Sequence, residues 1–166
     1  CSSPSGTSFQ LISFLIVLRT FSKAYGLAGL RVGYGLASHP ELVNLLNRVR
    51  TPFNINRSAQ AAAVVALGDQ QHVNDSIALV SAQRDMMSAQ LTALGFRVAP
   101  SCANFLFFDC GQPAAELAQR LLCDGVIIKP WREKGYEHWI RVSVGNEQDN
   151  QQFIRSLKRI LAEDAA

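Results

Sequence analysis

The sequence is short of the groups that metal, nucleic-acid and membrane chemistry need. Its four cysteines, Cys1, Cys102, Cys110 and Cys123, contain no C-x-x-C pair, and its three histidines, His39, His72 and His138, lie far apart. No zinc site is expected from such spacing. Charged residues make up only 17%, and 16 basic against 13 acidic residues leave a net charge of +3. So small and scattered an excess excludes a nucleic-acid partner as the working expectation. No apolar run approaches the roughly 18–20 residues that cross a bilayer, so no membrane partner is expected either. The longest run, Phe14 to Leu18 with a loose extension back to Phe9, is broken by Ser13 and stopped by Arg19. There is no internal repeat and no low-complexity tract.

What is present is apolar material. Hydrophobic residues reach 48% of 166, which excludes a disordered chain and is enough for a core. The length suits one domain, or one domain and a piece of another. Cys102, Cys110 and Cys123 sit in or beside apolar segments and read as reduced, buried residues of a cytoplasmic protein. The opening Cys1-Ser2-Ser3-Pro4-Ser5-Gly6 has the form of a processed lipoprotein terminus, but short Ser/Gly/Pro leaders are common in loops, and the loop reading is preferred.

Periodicity then gives an α/β order. Residues 11–19 form a continuous apolar run, as in a central strand covered on both faces. Residues 32–37 can form a short strand. His39-Pro40-Glu41 opens a helix with Leu42, Leu45, Leu46 and Val49 on one face. Asn56 can cap an Ala-rich helix over 57–67 that reads as buried. A long helix follows over 71–94 and is stopped by Gly95. Strands at 96–99, 104–109, 126–129 and 139–144, with helices at 113–122 and 149–161, complete an α+β region. Alternation in Ile140-Arg141-Val142-Ser143-Val144 puts one face of that strand on a helix and presents Arg141 on the other.

The chemistry concentrates in Thr20-Phe21-Ser22-Lys23-Ala24-Tyr25-Gly26-Leu27-Ala28-Gly29-Leu30-Arg31-Val32-Gly33. A lysine follows a strand directly, among hydroxyl residues, with an arginine eight positions on between glycines. Thr20 and Ser22 supply hydroxyl donors, and Arg31 a planar cation suited to a phosphate. The neutral amine of Lys23 can attack an aldehyde. Small neighbours let a planar ligand approach the backbone. A lone Ser-Lys pair would read as solvated charge at a strand end; the full string with both glycines is far more specific.

That string resembles the cofactor-lysine segment of the fold-type I pyridoxal-phosphate-dependent aminotransferases, most closely the histidinol-phosphate aminotransferases (class II). The resemblance continues through Asn104-Phe105-Leu106, Gly125-Val126-Ile127-Ile128-Lys129-Pro130 and Ile140-Arg141-Val142-Ser143-Val144-Gly145, and it covers about residues 16–162. Residues 1–14 do not share it. It implies the C-terminal part of a fold-type I transferase. On that basis residues 1–68 are a remnant of the cofactor-binding large domain, 69–95 an interdomain helix and 96–166 a small α+β domain. It implies pyridoxal 5'-phosphate as cofactor, with Lys23 as the lysine that carries it and afterwards moves the substrate proton. Thr20, Ser22 and Arg31 then hold its phosphate. Arg141 holds the substrate's anionic end, Asn104 starts the strand on the substrate side, and Lys129 stands where many relatives have arginine. Lysine there keeps the charge but loses the bidentate fork. The implied substrate is a small amino-acid-like or phosphorylated molecule, and the implied whole enzyme a cytoplasmic homodimer of histidine biosynthesis. Tyr25 and Tyr34 read as pocket lining or packing, and Trp131, Tyr136 and Trp139 as small-domain packing or a loop over the site.

The family also uses an acidic residue against the pyridine nitrogen, a few tens of residues before the lysine. Here 22 residues precede Lys23 and none is Asp or Glu. The family's ring-stacking aromatic and Gly-rich phosphate-binding helix start are also without counterparts. Little turnover is therefore expected of this chain alone, and an open apolar edge is expected at 11–18. A non-catalytic module that keeps the small-domain fold is the alternative, as is another fold-type I aminotransferase or decarboxylase.

Overall fold

The structure, a computed structural model, describes residues 14–164. It divides into two compact units, one running to Ser76 and the other beginning at Ile77. The leader and residues 11–13 of the expected first strand lie outside the described residues.

In the first unit, β1 (Ile16–Thr20) and β2 (Gly33–Ala37) form a two-stranded antiparallel sheet with Val17 opposite Leu36 and Thr20 opposite Gly33. The expected cover on both faces is not there. Leu18 is 77% exposed and Leu36 61%, on opposite faces, because two strands offer no neighbouring layer to bury against. Helix α1 (Pro40–Val49) starts at Pro40 as expected, and the His39 imidazole adds a cap by accepting from the Glu41 N–H at 3.2 Å. None of its apolar residues is buried. Helix α2 (Arg57–Gly68) is capped as expected, with Asn56 Oδ1 accepting from the Ala59 N–H at 2.8 Å. It is not the buried helix that its composition suggested. Only Ala59 and Ala63 are buried; Val64 and Val65 face out. A small core forms where those two alanines meet Phe21 and Val32.

The break between the units falls within α3 (Gln70–Ala93). Gly95, at φ +89°, ends that helix, and the Gly95 and Phe96 N–H groups return to the Thr92 and Leu91 carbonyls. The second unit is a four-stranded antiparallel sheet in the order β3 (Arg97–Val98), β4 (Phe105–Asp109), β6 (Trp139–Ser143), β5 (Lys129–Pro130). Helices α4 (Ala114–Cys123) and α5 (Glu147–Asp164) complete it. Leu106 and Phe108 of β4 and Ile140 and Val142 of β6 join Leu117, Leu121, Phe153, Ile154, Leu157 and Ile160 of the helices in one core, with Met87 and Leu91 of α3. The helical residues recur at intervals of three and four, which gathers them on single faces. Two arginine clamps tie α4 to α5: Arg120 to Asp164 at 2.7 Å, and Arg159 to Asp124 at 2.7 Å.

β5 is shorter than the expected 126–129 strand. Gly125 (φ +75°) ends α4, and the Val126 N–H bonds the Leu121 carbonyl, so Val126 serves the helix end instead. Ile127 is left 84% exposed. Cys110 is buried and free as expected, but Cys123 is free and exposed at the end of α4, and Cys102 is exposed and disulfide-bonded. Among the described residues, no group of three or more His, Cys, Asp or Glu could hold a metal ion, and no helix is long and apolar enough to cross a membrane.

Candidate functional site

Thr20, Ser22, Lys23 and Arg31 all lie on one closed loop of the first unit. Its mouth is the Thr20–Gly33 pair of β1 and β2, extended by the Phe21 N–H donating to the Val32 carbonyl at 3.3 Å. Inside it the Gly26 N–H bonds the Lys23 carbonyl at 2.8 Å and the Leu27 N–H bonds the Phe21 carbonyl at 2.9 Å. A single 3₁₀ turn, Ala28–Leu30, follows. The loop is anchored from beneath. Phe21 is 2% exposed, and the rings of Tyr25 and Tyr34 pack on it at centroid distances of 4.8 and 5.7 Å. Both tyrosines thus have a packing role.

With Phe21 and Val32 pointing down, the polar residues between them point out. Lys23 and Arg31 are exposed. Thr20 Oγ1 accepts from the Ser22 N–H at 3.0 Å, which leaves the threonine O–H to donate. Arg31 has left-handed backbone (φ 54°), and its Nη1 donates to the Ala28 carbonyl at 2.7 Å, so the guanidinium is held from one end. Such backbone in a non-glycine residue is uncommon and concentrates at ligand-holding positions. No carboxylate pairs with Lys23 or Arg31 among the described residues. The glycines divide by role. A Cβ at Gly29 would meet nothing within 4 Å, so open space lies beside the loop there, whereas a Cβ at Gly33 would sit 2.6 Å from the Arg19 carbonyl oxygen. Gly33 lets the two strands close the mouth. Open space, two hydroxyls, a guanidinium and an amine match the donor set that a phosphorylated planar aldehyde needs, so the residues present fit pyridoxal phosphate.

The other sequence-derived candidates lie in the second unit. Arg141 of β6 pairs with Phe107 of β4 on one side and Lys129 of β5 on the other, so both cations share one sheet face. Arg141 is half-buried, with its guanidinium 5.4 Å from the Phe105 ring centroid. The Lys129 ammonium lies 4.8 Å from the Trp131 ring. Among the described residues neither has a carboxylate partner, so Arg141 is not the salt-bridged surface arginine that an isolated strand would suggest. Asn104 is exposed at the start of β4, where its carbonyl accepts from the Val144 N–H. Phe107 stacks on Trp139 at 4.7 Å and meets Trp131 edge-on at 5.3 Å, with Tyr136 at 6.2 Å. Phe105 and Phe107 thus form the apolar floor of this face. The sequence pointed to Phe105 only as part of Asn104-Phe105-Leu106 and gave neither ring a place in the site, although the alternation in Phe105-Leu106-Phe107-Phe108-Asp109 carried the signal. At the far edge, the Gly111 N–H and the Arg97 guanidinium hold the Asp109 carboxyl below its ordinary value of 3.8.

Residues 6–157 match the family described as aminotransferase class I and II. The match begins upstream of residue 16 and takes in part of 1–14, where no resemblance was expected. Histidinol-phosphate aminotransferase 1 of Mesorhizobium japonicum is 52% identical over 146 residues, which are 88% of this chain and 40% of that protein. Histidinol-phosphate aminotransferase 3 of Rhizobium meliloti is 50% identical over 89% of this chain and 40% of its own. Among solved structures, histidinol-phosphate aminotransferase from Sinorhizobium meliloti in complex with pyridoxal-5'-phosphate superposes with a TM-score of 0.81 at 31% identity, over 89% of this chain and 41% of that one. L-threonine-O-3-phosphate decarboxylase from Porphyromonas gingivalis superposes at 0.74 and 26% identity, over 89% and 46%. The chain spans about two fifths of the length of the relatives that it matches. The fold is part of that of the fold-type I aminotransferases.

Proposed function

Because the chain belongs to the class I and II aminotransferases, we propose that it carries the cofactor-lysine loop and the anion-holding strand of a pyridoxal-phosphate-dependent transaminase that exchanges an amino group between histidinol phosphate and 2-oxoglutarate. The whole protein would act as a cytoplasmic homodimer. The observation that carries the reading is the closed loop of the first unit: exposed Lys23 and Arg31, with Thr20 and Ser22, above a core of Phe21 and Val32.

When bound, pyridoxal phosphate supplies an aldehyde for amine exchange and a ring that accepts electrons from the substrate Cα. The protein's part follows from its residues. Lys23 would present its Nζ to that aldehyde and, as a free amine, would be the base that takes and returns the Cα proton. Arg31 and the Thr20 and Ser22 hydroxyls bind phosphate oxygens. In the second unit, Arg141 offers a bidentate site for a carboxylate or phosphate, Lys129 adds a point charge on the same face, and Asn104 contributes an amide at the strand start.

Borohydride reduction with pyridoxal phosphate, followed by peptide mapping, tests the cofactor assignment. Label at Lys23 is the expected result, and label on other lysines without Lys23 refutes it. Lys23→Arg should lose the label and retain the fold. A second reading is a non-catalytic module that keeps the small-domain fold, whose four-stranded sheet and helices enclose a continuous core of their own. Steady amino transfer from glutamate by the chain alone would exclude it, as would the restoration of such transfer by the remaining length of a relative.

A further inference from the structure

Lys129 and Arg141 stand directly opposite one another on β5 and β6, on one face of the sheet. Like charges so placed repel, and among the described residues no carboxylate pairs with either. Each charge is instead turned toward a ring. The Arg141 guanidinium lies 5.4 Å from the Phe105 ring, and Phe105 is level with Ser143, further along β6. The Lys129 ammonium lies 4.8 Å from the Trp131 ring, and the Trp131 N–H bonds the Trp139 carbonyl, further back along β6. Phe107, opposite Arg141 in register, comes between, its ring 5.3 Å from that of Trp131. The two cations are therefore drawn toward opposite ends of one aromatic row. Trp131 is half-buried and fixed by its neighbours, whereas Lys129 is exposed and can leave it.

We propose that Trp131 is a positioning residue that keeps Lys129 in reserve. With the ammonium on the indole, Arg141 alone meets a carboxylate; a phosphate dianion draws the ammonium off the ring and is shared by both cations. The inference rests on the reading of Arg141 as the anion-holding arginine, and deepens it. The proposed reaction alternates a substrate that ends in a phosphate with one whose far end is a carboxylate, so one site has to accept both. Two fixed cations would suit the dianion and overcharge the site for a carboxylate, and a lone arginine would leave the dianion half neutralised. An ammonium on a flexible four-carbon stem serves both cases. Opposed side chains on paired strands start about 5 Å apart at Cβ, so Lys129 has the reach to join Arg141. The contact that holds it back is weak. An exposed cation–ring contact shifts an equilibrium by about 2- to 5-fold, less than a second negative charge at contact distance provides. This gives a use to the lysine that stands where many relatives have arginine.

The test titrates the nitrogen-15-labelled chain with methyl phosphate, a dianion at about pH 7, and with acetate. NMR follows the Arg141 Nε–H and the Trp131 indole N–H, which keeps the result separate from phosphate held by the first unit. Acetate should move the Arg141 signal and leave the indole in place. Methyl phosphate should move both in step. Trp131→Leu should tighten methyl phosphate at Arg141 by about 2- to 5-fold and leave acetate unchanged, while Trp131→Phe, which keeps a ring, should stay near wild type. Lys129→Gln should weaken methyl phosphate at Arg141 and spare acetate. A ring that served packing alone would, when removed, weaken both anions or neither. The proposal is overturned if the indole is silent to methyl phosphate while Arg141 responds, if Trp131→Leu fails to tighten methyl phosphate, or if Lys129→Gln affects both anions equally. The indole response and Lys129→Gln leave the ring in place, so they decide the matter should Trp131→Leu not fold. If Arg141 responds to neither anion, the anion-holding reading itself falls, and this inference with it.

Discussion

Replacing Gly33 by alanine should open the loop that holds Lys23. The new Cβ would lie 2.6 Å from the Arg19 carbonyl oxygen and 3.6 Å from Thr20 Cα, and both neighbours are backbone. No rotamer change relieves such a contact, so β1 and β2 must separate where Thr20 faces Gly33. Forcing a methyl into filled space costs about 1–3 kcal/mol, and weakening one ladder bond adds about 1 kcal/mol. An expected loss of about 2–4 kcal/mol corresponds to roughly 30- to 700-fold in the local opening equilibrium. Hydrogen exchange at the Phe21 amide, which bonds Val32 across the mouth, reads that opening directly. Borohydride capture of pyridoxal phosphate at Lys23 reads its consequence for the site. Three other glycines calibrate the result. Gly29→Ala meets nothing within 4 Å and should change protection by less than about 0.5 kcal/mol. Gly35→Ala approaches Leu18 Cδ2 at 3.2 Å, a side chain that can turn away, and should fall between. Gly26→Ala has space but φ +69°, so it should cost about 1 kcal/mol through backbone strain alone. Wild-type protection at Phe21 in Gly33→Ala, or equal damage from Gly29→Ala, would refute the close-approach argument.

Leu157→Ala, at a fully buried position of α5, should destabilise the second unit by about 2–5 kcal/mol in urea unfolding. Asn150 is 2% exposed, accepts the Gly145 N–H at 2.9 Å and donates to Gln83 at 2.9 Å; Asn150→Ala should cost about 1–3 kcal/mol by stranding those partners, and a neutral result in the same assay would count against the network. The Asp124 carboxyl is held below its ordinary 3.8, first by the Arg159 guanidinium and then by Ser156. A carboxylate depressed on folding adds stability above its unfolded value and gives it up as pH falls through the folded one. Asp124→Asn should therefore flatten the acid limb of a stability–pH profile below about pH 4 and leave its shape near neutrality unchanged.

Local signals were legible and cover was not. Gly95 stops α3 and Asn56 caps α2 because each acts through its own backbone or a side-chain oxygen within a few residues. Alternation placed Arg141 on one face of β6 and Ile140 and Val142 on the other, since period two is a property of the strand itself. Burial depends on what lies opposite. The apolar run ending in β1 and the alanines of α2 read as interior, yet Leu18 and Val65 face outward. The His39 cap was missed because imidazole is rarely used there, and the short β5 because Gly125 gives Val126 to the end of α4. At the site, the loop residues were legible as a string. The anchoring of that loop by Phe21, Tyr25 and Tyr34, and the pairing of Lys129 with Arg141, needed the register.

The aromatic cluster around Phe107 has a spectroscopic consequence. Trp131 and Trp139 are the chain's two tryptophans, and both belong to that cluster in the second unit. Indole emission therefore reports the packing of the β4–β6 face, where the ring of Phe107 stacks on Trp139 and meets Trp131 edge-on. Trp139→Phe and Trp131→Phe, taken singly, divide that signal between two places on the face that bears Arg141 and Lys129.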